Sequence, residues 1–279
     1  MSRYRGSARF TEDWKHFDLD VADGIATVTL NRPEKMNPLT FESYADLRDL
    51  LHELPHREDA RALVIRGEGK GFCGGGDVNE IIGELVKMDA KGLMGFTKMT
   101  GDVIRAMREC PLPIIAGIQG IAAGAGAVVA LAADFRVCAR AARFAFLFTK
   151  VGLSGGDMGA AYLLPRVVGA GRATELLMLG DTIDAATADR YGLVSELVED
   201  SEGHGVLNEA VTRLARRLAD GPTLAYAQTK SLITRELDMP IGSAMELDAM
   251  TQALLMTTHD HAEFHAAFNA KRPPEWKGR

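Results

Sequence analysis

The sequence predicts an α/β protein, with a mixed core over residues 1–205 and a helical region over residues 206–279. Three observations predict it. Short β-branched segments, glycine-rich turns and helical stretches follow one another through the first half. The most apolar segment, residues 120–133, is shorter than the roughly 20 residues a bilayer needs, so it reads as a buried core element. The last third carries helical patterning only, with Gly221-Pro222 as a clear break.

The elements follow in order. Phe17 to Val21 is apolar at every second position, and Ile25 to Leu30 is rich in β-branched residues, which gives two strands joined at Asp23-Gly24. Asn31-Arg32-Pro33 stops the second strand, and Thr40 is the N-cap of a helix from Phe41 to Leu54. Ala62 to Arg66 is a buried strand that runs into Gly67 to Gly71, Phe72-Cys73 and the triple glycine Gly74-Gly75-Gly76 before Asp77. A helix from Val78 to Val86 follows, and Ile81 to Met107 is otherwise poorly patterned. The same grammar recurs with a strand at Pro113 to Ile118, glycines at 120, 124 and 126, an alanine-rich helix from Ala127 to Ala133 and a strand at Phe135 to Cys138. A strand from Phe144 to Phe148 precedes Gly152 to Asp157 and a short helix that stops near Pro165. Helical patterns then cover Ala185 to Tyr191, Leu207 to Ala219 and the stretch from Thr223 onward. No fixed-period repeat is legible.

A chain of 279 residues with 47% hydrophobic and 25% charged content is globular, which excludes collagen, coiled coil and a disordered tail-protein. A net charge of -6 gives no broad attraction to phosphate backbones or acidic lipid, so neither nucleic acid nor a membrane is an expected partner. Met1 to Phe10 is polar and basic, with no apolar stretch of signal-peptide length behind it, so a cytoplasmic location is expected. Cys73, Cys110 and Cys138 are odd in number and far apart, which reads as buried, reduced thiols.

Glycine lets a backbone amide face a ligand with no side chain between them. Two such amides from separate turns, converging on one carbonyl oxygen, make an oxyanion hole. Tight turns that only feed buried helices fit the same letters. Other motifs fit less well. Gly124-Ala-Gly126 begins like a dinucleotide fingerprint, but Val129 stands where its third small residue belongs, and no Gly-Lys-Ser/Thr follows either glycine run. Gly152-Leu-Ser154-Gly-Gly156 matches a serine nucleophile elbow by letter, although Thr149 to Val151 separate it from the preceding strand. His259, His261 and His265 lack the glutamate at position 262 that a zinc motif needs, so a solvated helix is expected there, and no metal site. Asp157, after two glycines and before an apolar helix, is readable both as a helix N-cap and as an acid/base.

Five segments together carry a family resemblance that runs from about Phe17 to Arg272. They are Leu30-Asn-Arg-Pro-Glu-Lys-Met-Asn37, Gly71-Phe-Cys-Gly-Gly-Gly-Asp-Val78, Gln119-Gly-Ile-Ala-Ala-Gly-Ala-Gly126, Leu163-Leu-Pro-Arg-Val-Val-Gly169 and Ala267-Phe-Asn-Ala-Lys-Arg-Pro273. The chain resembles the enoyl-CoA hydratase/isomerase (crotonase) family. The resemblance implies a spiral of ββα units with a C-terminal helical trimerisation region, an acyl-CoA thioester as substrate, and no cofactor beyond the coenzyme A of that substrate. It places the oxyanion amides at Gly74 and Ala125. It implies CoA contacts from Lys35 and Met36, from Gly76, Asp77 and Val78 chiefly through backbone, and from Phe268 and Lys271, the last two also suited to a neighbouring subunit. A homotrimer or hexamer is expected.

Hydratase members carry two glutamates, and the positions similar to them here are Val128 and Phe148, neither of which moves a proton. With Met158 these two line the expected acyl pocket. Asp157 is similar in position to the aspartate of the 1,2-epoxyphenylacetyl-CoA isomerases, and also to the nucleophilic aspartate of 4-chlorobenzoyl-CoA dehalogenases, whose site tryptophan has no clear match here. The resemblance therefore implies an isomerase that shifts a carbon–carbon double bond, with Asp157 as acid/base. Hydration or another addition through Asp157 is the first alternative, and an acyl-CoA-binding member without chemistry the second.

Overall fold

The computed structural model describes residues 13–279, so the reading of Met1 to Phe10 falls outside the described residues. Strands β1 (Asp18–Ala22) and β2 (Gly24–Leu30) form an antiparallel pair whose register runs from Asp18 opposite Thr29 to Ala22 opposite Ile25. The turn between them needs left-handed backbone at Asp23 and Gly24, the conformation that Asp-Gly pairs supply. Helix α1 (Phe41–Glu53) starts as expected at Thr40, whose side chain accepts from Ser43 N while the Ser43 hydroxyl accepts from Thr40 N. Strand β3 (Ala60–Gly67) then pairs parallel with β2.

The segment expected as a helix from Val78 to Val86 is a π-helical turn, Val78–Ile82, that passes into the single turn α2 (Gly83–Leu85). A twenty-residue helix, α3 (Ala90–Glu109), occupies the poorly patterned stretch, with Asp89 accepting from Gly92 N at 2.8 Å as its cap. Gly92, Gly95 and Gly101 weaken its local propensity, and packing against α1 overrides that weakness.

The chain next runs through β4 (Ile114–Ile118), β5 (Ile121–Ala123), α4 (Ala125–Ala132), β6 (Phe135–Ala139) and β7 (Arg143–Ala145). The strand expected from Phe144 to Phe148 ends at Ala145, whose carbonyl accepts Gly124 N–H. Phe148 lies in the 3-10 turn Leu147–Val151 that follows. Helix α5 (Ala160–Val168) does not stop at Pro165. Proline there removes one helical donor, and Arg166 ties the next turn down by donating to Tyr162 O at 2.8 Å, with its guanidinium over the Tyr162 ring. The remaining elements are α6 (Ala170–Leu179), β8 (Thr182–Asp184), α7 (Ala185–Arg190), β9 (Glu196–Val198), α8 (Gly205–Ala219), α9 (Thr223–Glu236), α10 (Ile241–Met256) and α11 (His259–Ala270).

Two sheets result: β1-β2-β3-β4-β6-β9, parallel apart from β1, and a small sheet β5-β7-β8. β4 and β6 enter the large sheet, while β5 and β7, which follow each of them, enter the small one, so the chain winds between the two as it advances. Side-chain alternation divides the core. Leu63, Ile65, Ile114, Ala116 and Ile118 face the main core with α1, α3 and α4, whereas Ala62, Val64 and Ile115 face Leu207, Val211 and Leu218 of α8. Helix α9 is fastened to the sheet edge by the buried Lys230, whose ammonium reaches Asp134 at 2.8 Å and Leu112 O at 3.0 Å.

Candidate active site

Two glycine turns meet at the start of α4. A Cβ added to Gly75 would stand 3.0 Å from Ala123 O and 3.7 Å from Ala125 N, and Gly75 has a φ of +102°, so only glycine allows this approach. A Cβ on Gly126 would stand 2.3 Å from Cys73 O, so α4 lies directly against the Cys73–Gly75 backbone. Two buried amide side chains fix the loop that leads there. Asn37 donates to Glu68 O and Gly71 O, each at 2.9 Å, and Gln119 donates to Gly67 O at 2.7 Å and Gly71 O at 2.9 Å.

The expectation for Gly74 is corrected. Its N–H donates to Met36 O at 2.7 Å, in a contact set up by the left-handed backbone of Met36 and Asn37. Two residues on, Gly76 forms a parallel bridge with Leu39, in which Leu39 N donates to Gly75 O and Asp77 N to Leu39 O. That pattern turns the Gly76 N–H away from Leu39. It has no acceptor among the described residues, and neither does the Ala125 N–H in the first turn of α4. The free pair of donors at the junction is therefore Gly76 and Ala125.

Asp77 is buried, and its carboxylate accepts from Glu80 N and Asn79 N, each at 3.1 Å. These amides hold it below the usual carboxylate range against the opposing effect of burial, with Lys35 and Arg32 adding to the pull. Arg32 donates to Asp77 at 3.1 Å and to Glu80 at 2.8 Å, and Lys35 stands 3.8 Å from Asp77. The Asp77 side chain thus organises the loop, while the exposed Lys35, Met36 and Val78 surround it on the surface. Phe268 and Lys271 lie elsewhere. Both are exposed near the end of α11, which packs on α10, and Phe268 has its ring contact with Phe264.

Asp157 sits in the short 3-10 turn Asp157–Gly159, which packs on α3 and α4. It does not cap α5, because Gly159 holds the N-cap position with no side-chain bond. Its Oδ1 instead accepts from Met158 N at 2.9 Å, held by left-handed backbone at Met158. Burial raises its pKa above the ordinary value, and the Met158 amide opposes this. Val128, Phe148 and Met158 are all buried in the main core. Beyond Met158 lies a largely apolar cavity of about 760 Å³ between α3, α5 and α9, lined by Ile104, Leu163 and Ile233 among others.

Ser154 is exposed on a loop, and its hydroxyl accepts from Gly156 N. The three cysteines are free and buried, and burial pushes the Cys73 and Cys138 thiols up to about 12. Among the described residues no group of three or more His, Cys, Asp or Glu is placed to hold a metal ion. No helix among them is long and apolar enough to cross a membrane.

A chain wound between two sheets, with two free backbone donors beside a glycine junction, defines a class of protein able to grip a carbonyl oxygen. The comparisons give that class its family. Residues 20–279 match the enoyl-CoA hydratase/isomerase family model, and the chain belongs to that family, with its crotonase-type fold. It is 34% identical to the 1,2-epoxyphenylacetyl-CoA isomerase of Escherichia coli (strain K12), over 93% of this chain and 97% of that one. It is also 34% identical to the (E)-benzylidenesuccinyl-CoA hydratase of Thauera aromatica, over 93% and 98%. A crystal structure from Streptomyces coelicolor A3(2), of a protein provisionally described as an enoyl-CoA hydratase, superposes with a TM-score of 0.97 at 65% identity, with both chains fully covered.

Proposed function

We propose that the protein is an acyl-CoA isomerase that moves a carbon–carbon double bond by proton transfer. The reading rests on Asp157: a half-buried carboxylate with a raised pKa, in a turn packed on α4, the helix that carries Val128; Val128 and Phe148 have no proton to give. Gly76 and Ala125 N–H hold the thioester oxygen. Asp157 removes a proton from one carbon, the electron pair moves to that oxygen as a dienolate, and the same carboxyl returns the proton two carbons away. One carboxylate suffices because it ends the cycle as it began. Lys35, Met36, Val78 and the backbone of Gly76 and Asp77 receive the CoA, with Phe268 and Lys271 assigned to a neighbouring subunit. Exposed apolar residues along α10, among them Ile241, Met245, Met250 and Leu254, support a homo-oligomer.

Incubation of an enoyl-CoA with the protein in deuterated water tests this. Deuterium at the α and γ carbons together with a displaced double bond is expected. A hydroxyacyl product without that exchange would establish the second reading, addition of water assisted by Asp157, which the hydratase relative favours.

A further inference from the structure

We propose that the Tyr44 hydroxyl is a third hydrogen-bond donor to the reacting thioester, beside the amides of Gly76 and Ala125. The inference rests on the reading of the site as an oxyanion hole and adds a side chain to it.

Tyr44 lies in the first turn of α1, the helix fixed at its start by the Thr40–Ser43 capping box. Its ring is held edge-on to Phe96 at 5.9 Å, and Phe96 in turn meets Phe41 at 5.1 Å, so the phenol has a set direction. The residue is 2% exposed, its oxygen has no hydrogen-bond partner among the described residues, and that oxygen is not enclosed but opens onto accessible space. A phenol oxygen placed in this way can donate to a group that enters the space. A Cβ built on Gly76 would have the Tyr44 oxygen as its nearest neighbour, at 3.7 Å, so the unpaired hydroxyl lies beside the residue that carries the unpaired amide.

Burial above all pushes the pKa of the phenol up, and Cys73 and Asp157, the titratable groups that act on it, add to the rise. The hydroxyl therefore keeps its proton throughout the working range and acts as a donor. Resting Tyr44 makes no bond to the Asp157 carboxylate. The acceptor it lacks is an oxygen that arrives with the substrate and gains charge there.

Tyr44→Phe removes only the oxygen and keeps the ring packed on Phe96. The probe is a saturated short-chain acyl-CoA, isotope-labelled at the thioester carbonyl and bound to wild type and variant, with the carbonyl stretch read by infrared difference spectroscopy. The expected result is a carbonyl band lowered on binding to wild type and partly restored toward the free value in the variant, with the melting temperature unchanged. In turnover, kcat for proton exchange should fall about 10²-fold while KM stays within about twofold. A band equally lowered in both proteins overturns the Tyr44 assignment and leaves the two amides as the whole site. A band unshifted in wild type overturns both the assignment and the oxyanion-hole reading beneath it.

Discussion

Asp157→Asn separates the chemistry of the site from its architecture. Asparagine keeps the shape of the side chain and an oxygen able to accept from Met158 N, now at 2.9 Å, so the left-handed turn at Met158 and Gly159 keeps its tie. Stability is expected to change by less than about 1 kcal/mol. The proton carrier is gone. General acid–base catalysis contributes about 10²- to 10⁴-fold, which is about 2.7 to 5.4 kcal/mol of barrier, and a carrier that serves both halves of one transfer belongs at the upper end of that range. The assay is deuterium incorporation into an enoyl-CoA, alongside binding of a saturated acyl-CoA. Exchange should fall by at least about 10³-fold with the dissociation constant nearly unchanged. Variant exchange within tenfold of wild type would remove Asp157 from the mechanism. The pH dependence follows from the same residue. As the base, Asp157 must be ionised, so kcat/KM should rise with pH, with a midpoint above the ordinary aspartate value of 3.8. Because its folded-state pKa is raised, the folded protein holds this proton more tightly than the unfolded chain does. The associated stability is present below pH 3.8 and is lost as pH rises through the folded-state value. The asparagine variant should lack that decline, as a comparison of denaturation midpoints across the acid range will show.

Gly75→Ala should destabilise by about 1 to 3 kcal/mol and abolish exchange, since alanine must adopt a φ of +102° with its Cβ 3.0 Å from Ala123 O; thermal melting and exchange assays read both. Gly74→Ala places its Cβ 3.3 Å from the backbone oxygen of Met36 without a left-handed φ, so a modest loss of stability with retained exchange is expected, and loss of exchange in a Gly74→Ala protein of near-normal melting temperature would contradict the structural role given to that residue. Lys230→Met removes two charge-assisted bonds but leaves Asp134 with Arg108 and Ile114 N, for a loss of about 2 kcal/mol in urea denaturation. Thr40→Ala should cost about 1 kcal/mol through the lost cap of α1.

Where local chemistry settles a conformation, the sequence was readable. The β-branched runs of β2, β3 and β4, the Thr40 cap and the alanine-rich α4 depend on near neighbours and formed as expected. The strands β5, β8 and β9 have three residues each and exist through partners distant in the chain, so no local signal marks them. Helix α3 hid behind its glycines. At the site, the motif singled out the loop but pointed to the amide of Gly74, which is occupied, where the free one belongs to Gly76. Which of three consecutive glycines keeps a free N–H depends on the carbonyl of Met36 and the bridge to Leu39, and letters do not show carbonyl directions. Asp157 was visible as a candidate, but only the placement of Gly159 at the start of α5 separates it from a cap. Tyr44 gave no signal, because a tyrosine on the buried face of a helix reads as core until its hydroxyl is seen to lack a partner.

The three glycines divide one task. Gly74 gives its amide to Met36 O, which fastens the Lys35–Asn37 loop to the end of the glycine run. Gly75, bare and left-handed, lets the start of α4 come within contact and brings Ala125 N–H to the junction. Gly76, bridged to Leu39 on one side, is left with its amide facing the other, on a residue that Tyr44 flanks. The first bond orients the strand segment that makes the bridge, and the bridge aims the free amide. The occupied donor at Gly74 is thus a cause of the free donor at Gly76. The direction of that amide is set before any substrate arrives, which is the condition under which a hydrogen bond lowers a barrier without reorganisation during the reaction.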